Sequence, residues 1–410
     1  MTLGPSVIVL CLSAASLAFV FPAQAAHFIV NSTKDAVDVH PGDGICATAA
    51  GECTLRAAIQ ETNALPGADD IFVPGALYTI TIPGAGEECA ATGDLNITDD
   101  LTIRGAGPQA TIVDGGGLDR VFQILASQPQ CNIAGSPAVP HVTITDMTVQ
   151  NGDVTTNDSG GGIFNGLQNQ PGGFLMLVNV TVTGNSATYG GGIMNGWGAS
   201  AVLVGVTISN NAAAYGAGLY TRDMGKVSVI NSTFSNNTAA TGGGGIDTFS
   251  NADLVLSNVT IAQNSAMIGA GINSESSTYL VTLASSIVAE NSGGDCLGAI
   301  LSKGYNLDSD STCSLTQPTD LPGRNPLLGP LQYNGGPTPT SALLAGSPAI
   351  GAGGTSGCLS TDQRYYLRRN GMAPCDIGAY ETGQSSASVL HSAAWRPAHV
   401  PPQQVASRSR

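Results

Sequence analysis

The chain has 410 residues, of which only 10% are charged, and it carries 54 glycines and a net charge of −15. With 14 Lys+Arg against 29 Asp+Glu, its surface repels phosphate backbones, which excludes nucleic acid as a partner. A chain of this length ordinarily divides into two or three domains, unless its core grows along one axis as a stack of units.

Residues 1–25 read as a secretory signal. Val7–Phe21 is apolar yet shorter than a membrane span requires, and Pro22-Ala23-Gln24-Ala25 supplies an Ala-x-Ala cleavage site, although Met1–Ser6 holds no Lys or Arg. The mature chain is therefore expected to be secreted or held at the cell surface, associated with an outer membrane, with no membrane span of its own. Cys11 leaves with the signal. The remaining Cys46, Cys53, Cys89, Cys131, Cys296, Cys313, Cys358 and Cys375 are an even set, which in an exported chain favours disulfides. Many connectivities are open; pairing of sequence neighbours is expected, as Cys46–Cys53, Cys89–Cys131, Cys296–Cys313 and Cys358–Cys375. No Cys-x-x-Cys or clustered His spacing is present, so no metal site is expected among them.

After the signal, residues 26–70 form an N-terminal unit whose one helix candidate is Thr54–Leu65. There Leu55, Ala58, Ile59 and Thr62 share a face. Strands are expected at Ala76–Ile82, Leu95–Ile97 and Leu101–Ile103, with the helix as a lid on the end of the stack. Residues 71–300 are an array. Its phrase reads NVTVTGNSATYGGGI from Asn179, GVTISNNAAAYGAGL from Gly205, NSTFSNNTAATGGGGI from Asn231 and NVTIAQNSAMIGAGI from Asn258.

Three columns recur at steps of about 26–27 residues, the mark of stacked units. They are Val182, Ile208, Phe234, Ile261 and Val288; then Ile163, Ile193, Leu219, Ile246 and Ile272; then Asn185, Asn211, Asn237, Asn264 and Asn291. Val178, Val180 and Val182 alternate with Asn179, Thr181 and Thr183, a period of two that demands strands, and the Gly run in every copy disfavours helices. The expected fold is all-β: a right-handed, single-stranded parallel β-helix (a pectin-lyase-like solenoid) with a short N-terminal capping helix. The Asn column is expected at left-handed corners and in coil-to-coil ladders, and the Gly triplets in turns too tight for a Cβ. Residues 301–382 close the other end. Residues 383–410, rich in Ser, Pro and Gln, read as a disordered tail.

Two regions offer chemistry. Arg222, Asp223 and Asp247 form the best catalytic set: the two Asp residues lie about one coil apart though two residues out of column, and if in register they would project some 4.8 Å from one another. Tyr189 and Tyr215 share a column, with Trp197 and Tyr220 nearby, and stacked exposed aromatics suit the apolar faces of sugars. Asp43, Asp94, Asp99 and Asp100 could hold Ca²⁺ in an N-terminal loop, although ordinary turn roles suit them as well. No cofactor is otherwise implied, and the chain is expected to be monomeric.

His27–Asn63 resembles the CSLREA domain of secreted bacterial β-helix proteins, through Asn31-Ser32-Thr33, Pro41-Gly42-Asp43-Gly44 and Cys53-Thr54-Leu55-Arg56-Ala57-Ala58, where Thr54 and Ala57 replace the usual Ser and Glu. The C-terminal region resembles the choice-of-anchor Q domain, through Asn325–Leu331, Asn334–Thr340, Gly346–Ile350 and Cys375-Asp376-Ile377-Gly378-Ala379-Tyr380-Glu381, with Ser341 and Gly351 where His and Asp are usual. The repeats between are similar to those of polymorphic outer-membrane proteins. The resemblance implies a β-helix, export and surface association, and no catalytic residues. The expected function is thus non-catalytic adhesion or contact with a polysaccharide or cell-surface glycan. The alternative is a polysaccharide lyase or glycoside hydrolase acting at Arg222, Asp223 and Asp247.

Overall fold

The computed structural model describes residues 25–126, 139–166, 172–275, 281–355, 358–368 and 373–383. The signal segment, Cys131 and the tail beyond residue 383 lie outside them. Short parallel strands coil about a common axis, as the period requires. Each of the three columns is a vertical stack of residues in direct register. Val149, Val182, Ile208, Phe234, Ile261 and Val288 pair one with the next, all fully buried. Ile163, Ile193, Leu219, Ile246 and Ile272 do the same, and the stack extends to Phe122 and Leu95 on one side and Cys296 on the other. A single coil cannot enclose such residues; its neighbours above and below do so, at about 1.5–3 kcal/mol per large side chain.

The coils form three faces. A 17-stranded set wraps two sides of the solenoid. An eight-stranded sheet, called sheet B here, runs from Leu95–Ile97 to Cys296–Gly298. A four-stranded sheet, called sheet C, comprises Asp153–Ser159, Ser186–Tyr189, Ala212–Tyr215 and Thr238–Gly242.

The Asn column behaves differently from its expectation in one respect. Its amides do form a ladder: Asn185, Asn211, Asn237 and Asn264 each donate Nδ2 to the Oδ1 of the next Asn, at 2.9–3.0 Å, and Asn291 ends the ladder by donating to Asp295. The left-handed backbone, however, belongs to the preceding residue, namely Gly184, Asn210, Asn236, Gln263 and Glu290. The division is physical. A residue that turns the chain outward cannot also aim its amide into the core, so adjacent positions share the two tasks. The glycine at 191 sits where an added Cβ would lie 2.3 Å from the Ala212 carbonyl, so only glycine lets those coils close at that corner.

The helix is Leu55–Ala64, with Thr54 as its N-cap accepting from the Ala57 amide at 3.1 Å. Every residue from Leu55 to Asn63 is buried, polar ones included, because the helix is covered on both sides. Asn63 substitutes for a missing strand: its Nδ2 donates to the Asn96 carbonyl at 2.8 Å and its Oδ1 accepts from Thr98 N at 2.9 Å. The expected strand at 76–82 is shorter, Leu77–Thr79, whereas Leu95–Ile97 falls as expected and the next runs Leu101–Gly105.

The disulfides Cys46–Cys53, Cys296–Cys313 and Cys358–Cys375 form as expected. Cys89 is disulfide-bonded as well, and Cys131, its expected partner, lies outside the described residues. From residue 325 the chain turns back and straps several coils. Tyr365 donates to Asn179 at 2.6 Å, Thr338 to the Gly205 carbonyl at 2.8 Å, Asn231 to the Thr361 carbonyl at 2.8 Å and Ala379 N to Thr260 at 3.1 Å. The charges of that segment pair within it: Arg364 pairs with Asp362 at 2.6 Å and lies 3.5 Å over the Tyr380 ring, and Arg368 pairs with Glu381 at 3.3 Å while also donating to Asn231 of the solenoid at 3.0 Å.

Candidate functional site

In the middle strands of sheet B the first and third residues point into the solenoid and the second points out. That outward column reads Asn96, Gln123, Phe164, Met194, Tyr220, Asp247, Asn273 and Leu297. Most of it is nevertheless buried, because the neighbouring sheet C bends over it. Phe164, Met194 and Tyr220 form one apolar cluster, with Tyr189 and Tyr215 of sheet C packed against it. The result is a packed seam between the two sheets, edged by the half-buried Tyr189 and Tyr215.

Tyr189 and Tyr215 pair in register, and their rings stack with centroids 5.5 Å apart and planes 11° apart. Tyr220 meets Tyr189 at 5.3 Å in a tilted contact. Three of the four aromatic residues singled out from sequence therefore come together. Trp197 does not join them: it lies two residues past the far end of its sheet B strand, 37% exposed, beside the turn that holds Asp223.

The stack stops abruptly. The next residue in register with Tyr215 is Gly242, and the one after is Ile268, which is 41% exposed. Where a third ring would stand there is no side chain. Asp247 and Asn273 crowd that position instead: a Cβ at 242 would lie 2.8 Å from Asn273 Nδ2 and 3.3 Å from Asp247 Oδ2, too close for a side chain there.

The proposed catalytic set is not assembled as expected. Asp247 pairs in register with Tyr220, and Arg222 with Phe249, so Asp223 and Asp247 do not project side by side. Asp223 has left the strand altogether, in a left-handed turn conformation. Its Oδ2 lies 3.3 Å from Arg222 Nε, an ion pair without hydrogen-bond geometry. The two-residue offset visible in the sequence is the reason: in a solenoid, offset becomes a different position around the coil.

What does assemble around Asp247 was missed. Asn273 Nδ2 donates to Asp247 Oδ2 at 3.1 Å and to Glu275 Oε1 at 3.2 Å, so two carboxylates share one amide nitrogen. Asp247 Oδ1 and Asn273 Oδ1 are enclosed and have no hydrogen-bond partner. Burial, with Glu275 adding its like charge and Asn273 opposing, pushes the Asp247 carboxyl up to about 7. Burial and the nearby Asp247 likewise raise the Tyr220 phenol. The signal was available: Asp247 and Asn273 stand one coil apart in the outward column, where apolar residues precede them.

Toward the N-terminal end of the same column, Arg120 pairs with Asp94 at 3.1 Å and with Asp158, and donates to Gln123 at 2.8 Å. Complete burial pushes Asp94 up to about 7 against the pull of Arg120. The other carboxylates named for Ca²⁺ have local partners: Asp100 accepts from His141 N at 2.7 Å and Asp43 from Ile45 N at 2.8 Å, while burial raises Asp99 to about 6. Among the described residues no three His, Cys, Asp or Glu side chains gather as a metal site.

A concavity of about 360 Å³ lies between the C-terminal strap and the solenoid, floored by Met176, Val178 and Val204 and edged by Asp362 and Tyr365. None of the residues singled out from sequence faces it.

Residues 132–313 match a family described as a right-handed β-helix region. Among solved structures, the chain is similar to pectate lyase Pel9A, at 13% identity over 88% of this chain and 98% of that one, with a TM-score of 0.43. It is also similar to the A-module of the Azotobacter vinelandii mannuronan C-5 epimerase AlgE6, at 13% identity over 71% of this chain and 82% of that one, with a TM-score of 0.28. No curated protein matches the chain. The parallel coils and the matched region make the fold a right-handed parallel β-helix.

Proposed function

We propose that the protein is an exported, non-catalytic β-helix that contacts glycans through the tyrosines at the seam between sheets B and C. The observation that carries this reading is the half-buried Tyr189–Tyr215 stack ending at Gly242. One ring face of Tyr215 has no aromatic neighbour in the next coil, where Gly242 stands beside the buried Asp247 and Asn273. An aromatic face next to fixed hydrogen-bonding groups is the arrangement that grips a sugar, apolar on one side and hydroxylated at its edge.

Export and surface association rest on the signal-like residues 1–25, the disulfides and the resemblance of the two ends to CSLREA and choice-of-anchor Q domains. No helix among the described residues is long and apolar enough to cross a membrane.

Calorimetry against a glycan panel tests the reading. The wild-type chain binds at least one oligosaccharide, and Tyr215→Ala weakens it by about 1–3 kcal/mol, the scale of one lost aromatic stack. Equal affinity in the variant sinks the proposal. A second reading, glycoside hydrolysis or lyase chemistry, draws on Asp247: a carboxyl raised to about 7, with Glu275 beside it, has the character of a general acid. Against it, Asp247 is fully enclosed, so its carboxyl does not reach a substrate. New reducing ends or unsaturated products that vanish in Asp247→Asn would establish the second reading over the first.

A further inference from the structure

The strand His27–Ile29 is the first of the solenoid, and it pairs in parallel with Asp69–Val73. Ala26, just before it, is tied to the second strand at both of its backbone groups. Its carbonyl accepts from Asp70 N at 3.0 Å, and its nitrogen donates to Asp69 Oδ1 at 2.7 Å. Ala25 is exposed, whereas Ala26 packs partly buried against the core, so the Ala25–Ala26 bond sits where exposed chain meets packed chain.

Asp69 has little else to compensate its charge. The residue is 2% exposed, and its Oδ2 is enclosed with no hydrogen-bond partner among the described residues. A buried carboxylate beside one neutral amide is costly, because burial tolerates a charge only when a counter-charge comes with it. Alternation along the strand keeps the nearby cations away. Asp69 points inward and Asp70 outward, and both Arg104 and His27 pair with Asp70. Burial, with Glu61 adding its like charge, raises the Asp69 carboxyl above its ordinary range, against the pull of the Ala26 amide.

The donor already in place on Asp69 belongs to the residue that follows Ala23-Gln24-Ala25, the Ala-x-Ala site closing the signal-like segment. Hydrolysis of the Ala25–Ala26 bond consumes one water and leaves a carboxylate on Ala25 and an ammonium on Ala26. The same nitrogen then carries a positive charge and three hydrogens instead of one. Resting on the export reading above, we propose that removal of the signal after Ala25 sets a new α-ammonium at Ala26 against the buried carboxylate of Asp69, so that processing itself locks the first strand of the solenoid to the second. The position of the cut matters, since an ammonium one residue away stands about 3.5 Å further along the chain.

The test uses the full-length precursor, expressed in a bacterial host and purified after export. N-terminal sequencing finds Ala26 as the first residue. A variant with one glycine inserted between Ala25 and Ala26 is still cut after Ala25, but its ammonium belongs to the added glycine. Its folding equilibrium constant, from denaturant unfolding, is about tenfold lower than that of the wild-type chain, the scale of one hydrogen bond to a charged group. In the Asp69→Asn background the same insertion changes that constant by less than about twofold, because the partner charge is gone. The folded wild-type chain is also acylated slowly at the Ala26 amine, and Asp69→Asn speeds that reaction. An exported protein that begins at another residue overturns the proposal and leaves export standing. An insertion without effect, or with equal effect in both backgrounds, does the same. A chain that stays in the cell with residues 1–25 attached overturns the proposal and the export reading together.

Discussion

Replacing Arg56 by Met is expected to destabilise the chain by about 3–5 kcal/mol, read from the denaturant midpoint of the purified protein. Arg56 is the largest fully enclosed side chain, 1% exposed. Its Nε donates to Asp35 Oδ1 at 2.6 Å and its Nη2 to Asp35 Oδ2 at 3.2 Å, while further donors reach the carbonyls of Ala90 at 3.1 Å and Gly93 at 2.7 Å. Asp35 in turn accepts from the amides of Thr81 at 2.7 Å and Ile82 at 3.0 Å. One guanidinium thus ties together the loop before the helix, the helix itself and the first coil. Methionine keeps the length and the packing but leaves a buried carboxylate without its counter-ion and two carbonyls without donors. A loss under about 1 kcal/mol would mean that the lid is held by its apolar face alone.

Replacing Asp247 by Asn is expected to act in the other direction, and only above acid pH. The folded state raises this carboxyl from 3.8 to about 7. A folded state that binds a proton more tightly than the unfolded chain loses stability as pH rises. The loss begins near the unfolded value and is complete above the folded one. Across that window the deficit grows to about 4 kcal/mol, at 1.36 kcal/mol per unit. Asparagine has nearly the same shape and never ionises. The variant is therefore expected to match wild type at pH 4 and to exceed it by up to about 4 kcal/mol at pH 8. Unfolding curves that stay parallel over that range would show that Asp247 is not held in its protonated form.

Much of the architecture was legible before any coordinates. A fixed period aligns Val182 with Ile208 and Phe234, and in a solenoid the residues one period apart are the residues in contact. The helical lid was legible too, because Leu55, Ala58 and Ile59 carry a periodicity that nothing around them shares. Polar detail was harder. The ladder Asn residues could be aligned, yet their backbone could not be told from that of the residue before, since Asn suits both the ladder and the left-handed corner.

The site was legible in part. Tyr189 and Tyr215 stack because identical positions in successive coils must. Arg222, Asp223 and Asp247 do not meet as a set because their two-residue offset from the column becomes a different position around the coil. Asp247 instead found Asn273, one period on and in its own column, and Glu275 two residues beyond. The informative break was Gly242, a residue that looks like any other member of a glycine run. Its meaning comes from what it replaces: the third aromatic of a stack.

The most direct test of the account is the structure of the protein soaked with the oligosaccharide that binds it best. A sugar ring lying on the outer face of the Tyr189–Tyr215 stack is the predicted result. A sugar bound instead between Met176 and Tyr365 under the C-terminal strap, with the tyrosines bare, would contradict it.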